Sequence, residues 1–399
     1  MTLHFVFENQ CEKEILNEID SIIEHRRTVH QNPELGFQTQ ETVQRIVKFL
    51  EQENNLELDT KTVKGTVFAF LAGKKDGRTI ALRADIDALA MDDQSQNPWK
   101  SQIKGHAHAC GHDGHQSWLI ASARYLARHN DFAGNVLFIF QPAEETTKGA
   151  QAIVQSGILE RYKVSEIYGM HDEPILDAGH FGSRIGPLQA SVDSFYITLT
   201  GKGGHGGYPY LAVDPLPALA ELILSLQTII SRCIDPLDNV VISLGSVNAG
   251  KFQTPNVIPS QASLCGTVRT FTAENRRLCK DLILRKVNGI AQIYGLEAQI
   301  TYEAGCSSLI NDKTCTEVAL SVAQKLVGKE NVVTDMAPFM TSEDFSEYLN
   351  KVPGAMIQVG IRDEGHQASL HNPYFDFNDK VLPIASTFLV HLVLERLKA

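Results

Sequence analysis

The sequence predicts an α/β protein: a mixed, mostly parallel sheet with flanking helices, interrupted by a smaller inserted ferredoxin-like α+β module. Three observations lead there. Short β-branched or apolar runs alternate with segments whose apolar residues recur at helical spacing. Three of those runs end in potential ligands, at Arg83-Ala84-Asp85-Ile86-Asp87, at Glu144-Glu145 and at His171-Asp172-Glu173. In open α/β sheets, chemistry gathers at the carboxyl ends of strands. The pattern also changes character near Gly186-Pro187 and resumes after Gly305.

Taken in order, KEILNEIDSIIEHRRTVHQ reads as an amphipathic helix stopped by Asn32-Pro33, and a second helix runs from Glu41 to about Glu51. Strands follow at TVFAFLAG from Thr66, TIALRAD from Thr79, NVLFIFQP from Asn135 and SEIYGMHDE from Ser165. Helical patterns separate several of them, at His115 to His129 and Thr147 to Ser156. Beyond Gly186 the order is strand, helix (Leu216 to Arg232), two strands, helix (Glu274 to about Ile293) and strand, which is the ferredoxin-like order. Helices at Cys315 to Val327 and Ser342 to Asn350, the strand GAMIQVGI and a last helix from about Asp379 to Leu397 complete the chain. The expected domains are therefore 1–186 with 304–399, and an inserted 187–303.

The chain has 399 residues, 43% hydrophobic and 21% charged, with 36 Lys plus Arg against 47 Asp plus Glu and a net charge of −11. That balance argues against nucleic acid or an anionic membrane as the main partner. The apolar stretch at the N-terminus is too short for a signal-peptide core, and nowhere do about 18 uninterrupted apolar residues occur. Seven scattered cysteines (Cys11, Cys110, Cys233, Cys265, Cys279, Cys306, Cys315) are too sparse for a disulfide scaffold. Most are expected to be small buried hydrophobes in a reducing cytoplasm.

Cys110 is the exception. Four of the fourteen histidines fall in GHAHACGHDGH, Gly105–His115. Thiolate and imidazole suit borderline divalent metals. Gly111 gives the freedom for Cys110 and His112 to reach one ion. Adjacent glutamates usually mark a solvated face, but Glu144-Glu145 follows an apolar strand and a proline. There, one carboxylate can ligate while the other acts as general base. With His171 and His371 the set reaches five ligands (Cys110, His112, Glu145, His171, His371), enough for two metals sharing a bridging thiolate. Asp85 is placed to orient one of the histidine ligands.

These residues resemble the metallopeptidase superfamily that contains aminoacylases, most closely its amidohydrolase branch of hippurate hydrolases, auxin-conjugate hydrolases and N-acetyl-diaminopimelate deacetylases. The likeness rests on HQNPELGF (His30–Phe37), LRADIDAL (Leu82–Leu89), HACGHDGH (His108–His115), FQPAEE (Phe140–Glu145), GMH (Gly169–His171), GKGGHGGYP (Gly201–Pro209), NVIP (Asn256–Pro259), GTVRTF (Gly266–Phe271), SEDF (Ser342–Phe345) and LHNPYFDFN (Leu370–Asn378), in order over nearly the full length.

The resemblance implies a zinc-exopeptidase-like catalytic domain. It also implies an enzyme hydrolysing linear amides, releasing a carboxylic acid and a free amino acid from N-acyl amino acids such as N-acetyl or N-benzoyl derivatives. Cys110 would bridge two divalent ions (Mn²⁺ or Zn²⁺, with Ni²⁺ and Co²⁺ as alternatives). His112 and His171 complete one, Glu145 and His371 the other. Glu144 becomes general base and later proton donor, and His205 stabilises the oxyanion from the other subunit. Asn256 and Arg269 hold the substrate carboxylate, a role suited to a guanidinium fork, and Tyr208 narrows the pocket. The inserted module serves as lid and as the interface of a homodimer, or of a tetramer built on it. Asp172-Glu173 stands where relatives carry less acidic residues. A metallo-dipeptidase or carboxypeptidase, or a catalytically silent metal-binding protein, are the alternatives.

Overall fold

The computed structural model describes residues 10–398, so the N-terminal stretch weighed above as a leader lies outside the described residues. The chain divides into two compact units. The first comprises residues up to Leu188, Ile310–Ala337 and those from Asp344 onward; the second comprises Gln189–Leu309 and Pro338–Glu343.

The first unit is built on an eight-stranded sheet. Its strands are β1 (Leu56–Asp59), β2 (Val67–Ala72), β3 (Lys75–Asp85), β4 (Ala133–Gln141), β5 (Val164–Asp177), β6 (Phe181–Gly182), Val332–Val333 and Gly354–Arg362. They lie in the order β1-β2-β4-β3-β5, Gly354–Arg362, β6, Val332–Val333. The central four, β4, β3, β5 and Gly354–Arg362, are mutually parallel, while β1 and β2 extend one side antiparallel. Buried parallel strands read as continuous apolar runs, and β4 from Val136 to Gln141 and the strand from Gly354 to Ile361 are buried at every position. Helices α1 (Gln10–Gln31) and α3 (His112–Arg128) pack on each other and on the last helix, Leu382–Arg396, and α3 also meets β3. Helix α2 (Gln40–Leu50) packs on α3 and β2. All-round burial of Leu382–Val393 explains why that last helix is apolar on every face.

Two elements differ from expectation. The strand expected to stop at His171-Asp172-Glu173 runs on to Asp177. Its pairing with β3 ends at Gly169, but Gly354–Arg362 continues to pair with His171, Asp172 and Glu173, so these residues project beyond the end of β3 while still held in a ladder. The helix expected from Ser342 starts at Ser346 and ends at Leu349. Asp344 is fully buried with its carboxylate accepting from Arg83 Nη2, Gln141 Nε2 and the amide of Ala150, and the turn waits until that anchor is passed.

The second unit carries a four-stranded antiparallel sheet of Ser191–Thr200, Val240–Ala249, Gln261–Thr270 and Glu297–Ala304. In chain order of strands its spatial order is second, third, first, fourth, with helices Pro215–Cys233 and Ala273–Tyr294 as crossovers, the ferredoxin-like arrangement. Asp214 and Thr272 cap those helices, accepting from the amides of Leu216 and Asn275. By length and apolarity Pro215–Cys233 is the one described helix that could cross a membrane. Its row Ala218, Leu219, Leu222, Leu226 and Ile229 instead packs into the unit's core with Phe195, Ile197 and Leu199 of the sheet.

The seven cysteines form no disulfides; Cys233 is exposed and Cys265 half-buried while the rest are buried. The first unit is tied at its centre by Arg26 of α1, which is wholly buried. Its guanidinium donates to Asp379 Oδ1 at 2.7 Å, Asp376 Oδ1 at 3.0 Å and the carbonyl of Phe377 at 2.9 Å, and Asp113 of α3 lies at 3.4 Å. Breaking a buried pair leaves an uncompensated charge. Arg26→Met is therefore expected to destabilise the protein by about 3–5 kcal/mol, read as a lowered denaturation midpoint; an unchanged midpoint would show that these carboxylates do not depend on it.

Candidate metal centre and active site

Parallel strands deliver several of the candidate residues to one end of the sheet. Strand β3 stops at Asp85 and leads to Asp87, β4 stops at Gln141 and leads through Pro142 to Glu144-Glu145, and β5 carries His171 past the end of β3. Cys110 and His112 flank Gly111, which caps α3 with φ +77°. A side chain there would be strained, and its Cβ would sit 2.3 Å from Asp172 Oδ1. Ala143, Thr147 and His371 also adopt the left-handed region without being glycine (φ 59°, 55° and 60°). Such residues concentrate where the surrounding structure over-determines them. Here Asp87 supplies part of that constraint, accepting from the amides of Glu144 (2.9 Å) and Glu145 (3.3 Å).

Two groups of ligand atoms result. Cys110, His112 and His171 offer one atom each within 4.8 Å of one another, and so do Cys110, Glu145 and His371. Cys110 Sγ is 3.7 Å from His171 Nε2, His112 Nε2 is 3.8 Å from Glu145 Oε1, and His371 Nε2 is 3.6 Å from Glu145 Oε2. Glu144 forms a further group with His112 and Glu145, and is itself buried. His112 Nδ1 donates to the carbonyl of Asp87 at 2.9 Å, and His171 Nδ1 to that of Asp172 at 2.7 Å. With those tautomers set, each Nε2 carries a lone pair. His112 Nε2 is buried with no hydrogen-bond partner among the described residues.

The electrostatics suit a cation. Burial pushes the Cys110 thiol well up, and the carboxylates of Glu145, Glu144, Asp172 and Asp85 push it further. Burial likewise holds His112 well below its usual range. Asp87 is raised well above its ordinary value by burial and then by Glu145. A divalent cation reverses this logic, offsetting the carboxylates and deprotonating a coordinated thiol. The donor chemistry, the orphaned His112 nitrogen and the shared sulfur fit such ions.

Asp85 lies against two histidines of the cluster. It hydrogen-bonds His115 Nδ1 at 2.5 Å and Arg83 Nη1 at 2.6 Å, and lies 3.8 Å from His112 Nε2. Burial opposes its ionisation, but His112, Arg83 and His115 hold it well below the usual carboxylate range. The carbonyls of Asp87 and Asp172, not Asp85, take the Nδ1 protons of His112 and His171. In the sequence, Asp87 and Asp172 read only as carboxylates at strand ends, and His115 carries no assigned role. For His115 a signal existed: it follows His112 by three positions on a helix and so shares its face. Asp172 and Glu173 turn inward. The first is fully buried, and the second accepts from the amide of Ile175.

The remaining candidates belong to the second unit. His205 and Val257 pair in a two-stranded ribbon, the amide of Gly206 donates to the carbonyl of Asn256 at 2.8 Å, and the rings of His205 and Tyr208 lie 5.5 Å apart. His205 Nδ1 accepts from the amide of Gly207 at 3.0 Å, leaving its proton on Nε2. Arg269 lies apart from that ribbon in Gln261–Thr270, with Nη1 3.4 Å from Ser342 Oγ.

Comparison with known proteins gives a consistent picture. The chain is 40% identical over 381 residues to N-acetylcysteine deacetylase of Bacillus subtilis, covering 94% of this chain and 98% of that protein. It is 35% identical over 373 residues to hippurate hydrolase of Campylobacter jejuni, covering 94% and 96%. Among solved structures, a dinuclear metal-binding peptidase of the M20 family from Bacillus subtilis superposes with a TM-score of 0.83 at 35% identity, over 96% of this chain and 99% of that one. Residues 81–395 match the peptidase family M20/M25/M40, a span containing every candidate site residue, and the chain belongs to that family.

Proposed function

We propose that the protein is a dinuclear metal-dependent amidohydrolase that cleaves N-acyl amino acids to a carboxylic acid and a free amino acid. It is an enzyme of linear amides; the acyl group and the two ions are the finer part of the reading. The observation that carries it is the membership of Cys110 in both ligand groups, with Glu144 beside them. In this reading His112 and His171 complete one site, and Glu145 and His371 the other. The ions are Mn²⁺ or Zn²⁺, with Co²⁺ and Ni²⁺ as alternatives.

Two divalent ions held there supply positive charge that acidifies a water and polarises the scissile carbonyl. Glu144, anchored through its amide to Asp87, accepts the water's proton as the oxygen attacks the carbonyl carbon. The same proton passes to the amide nitrogen as the C–N bond breaks, releasing the amine. His205, with its proton on Nε2, donates to the developing oxyanion. Asn256 and Arg269 bind the free carboxylate of the substrate, and Tyr208 limits the acyl group. The second unit is assigned the dimer interface, and cysteines without disulfides suit a reducing cytoplasm.

The test is hydrolysis of N-acetyl, N-benzoyl and indoleacetyl amino acids by metal-stripped protein resupplied with Mn²⁺, Zn²⁺, Co²⁺ or Ni²⁺. Metal-dependent release of amino acid is expected, with a strong preference for a free α-carboxylate over its methyl ester. Turnover of dipeptides alone would favour the dipeptidase reading, and metal uptake without any turnover the silent one.

A further inference from the structure

His115 and Asp172 are both fully buried at the edge of the candidate centre and have no part in the chemistry above. Each ring nitrogen of His115 faces a carboxylate oxygen: Nδ1 is 2.5 Å from Asp85 Oδ1, and Nε2 is 2.8 Å from Asp172 Oδ1. The ring stacks on Trp118 with centroids 4.6 Å apart and meets His171 edge-on at 4.5 Å. One side chain of α3 thus joins the end of β3 to β5. His115, His171 and Asp172 lie close enough to hold an ion, but Nδ1 is engaged by Asp85 and Nε2 by both the carboxylate and the amide of Asp172, the latter at 3.1 Å, so both nitrogens are occupied by protein partners.

Asp172 touches the ligand set in two ways. Its carbonyl accepts the Nδ1 proton of His171, so the direction of that peptide sets where His171 Nε2 points. Its carboxylate packs on Gly111, the residue between Cys110 and His112. Asp172 therefore orients His171 directly and lies against the backbone between Cys110 and His112, and His115 holds Asp172. The second group has other supports: the amide of Glu145 is held by Asp87, and the amide of His371 donates to the carbonyl of Ala109 at 2.7 Å.

We propose that His115 and Asp172 are positioning residues for the ion held by Cys110, His112 and His171, and that they set the affinity of that site alone. The inference rests on the two-ion reading of the preceding section. A general loss of packing would weaken both sites together, whereas His171, the ligand that Asp172 orients, stands in the first group and not in the group of Cys110, Glu145 and His371.

The experiment titrates Co²⁺ into metal-stripped full-length protein, following heat and visible absorption, for wild type, Asp172→Asn and His115→Gln. Wild type is expected to take up two ions per chain. Each variant is expected to weaken one step by about 10–100-fold and leave the other within about threefold, as for lost outer-shell support of a ligand. Both steps unchanged, or both weakened alike, would overturn the proposal. Uptake of fewer than two ions by wild type would instead overturn the two-ion reading. The variants act at opposite ends of the bridge, so melting curves of the metal-free proteins identify which of them is folded for the comparison.

Discussion

Glu144→Gln is expected to lower kcat on N-acyl amino acids by about 10²–10⁴-fold, the range for a lost general base, while the protein keeps its fold and bound metal. The carbonyl-like amide of Gln is nearly the shape of the carboxylate, and the backbone bond to Asp87 does not involve the side chain. The burial of Glu144 and its place beside His112 and Glu145 give it a protected position next to the candidate ligand groups. The measurement is kcat and KM together with metal content by elemental analysis. Loss of kcat with an unchanged KM marks an interaction made in the transition state. Normal turnover by this variant would remove Glu144 from the mechanism, and loss of metal would make it a ligand rather than a base.

Cys110→Ser is expected to strip both ions, because the sulfur is the one atom common to the two ligand groups. The loss should exceed the roughly 10–100-fold that outer-shell substitutions cause. His171→Asn serves as the comparison, since His171 stands with Cys110 and His112 but not in the group of Cys110, Glu145 and His371. One ion lost from His171→Asn and two from Cys110→Ser, counted by elemental analysis after dialysis, is the expected pattern. Full metal content in Cys110→Ser would refute the shared thiolate.

The α/β class was legible because burial imposes simple periods. The apolar runs of β4 and of Gly354–Arg362 could be read without knowing their neighbours. The crossover helices of the second unit were legible for a similar reason: an amphipathic row such as Leu219, Leu222 and Leu226 is a local pattern. Element ends were less legible. Where β5 stops depends on how far Gly354–Arg362 continues beside it, and the helix after Ser342 is delayed by the anchoring of Asp344 to Arg83 and Gln141, residues far away in the chain.

The same division runs through the site. By itself the sequence showed which side chains offer ligand chemistry, and that Glu144-Glu145 and His171 fall at the ends of apolar runs: these are properties of composition and short spacing. Only the tertiary structure decided how those side chains are held. Asp85 meets His115, the carbonyls of Asp87 and Asp172 take the histidine protons, and Asp172 fills the space that Gly111 leaves. The bond between His171 and Asp172 is local, but the others join the start of α3 to the end of β3 and to β5, segments far apart in the chain. A parallel register is set by burial over the whole sheet, so no local pattern in the chain announces which partner a side chain will find.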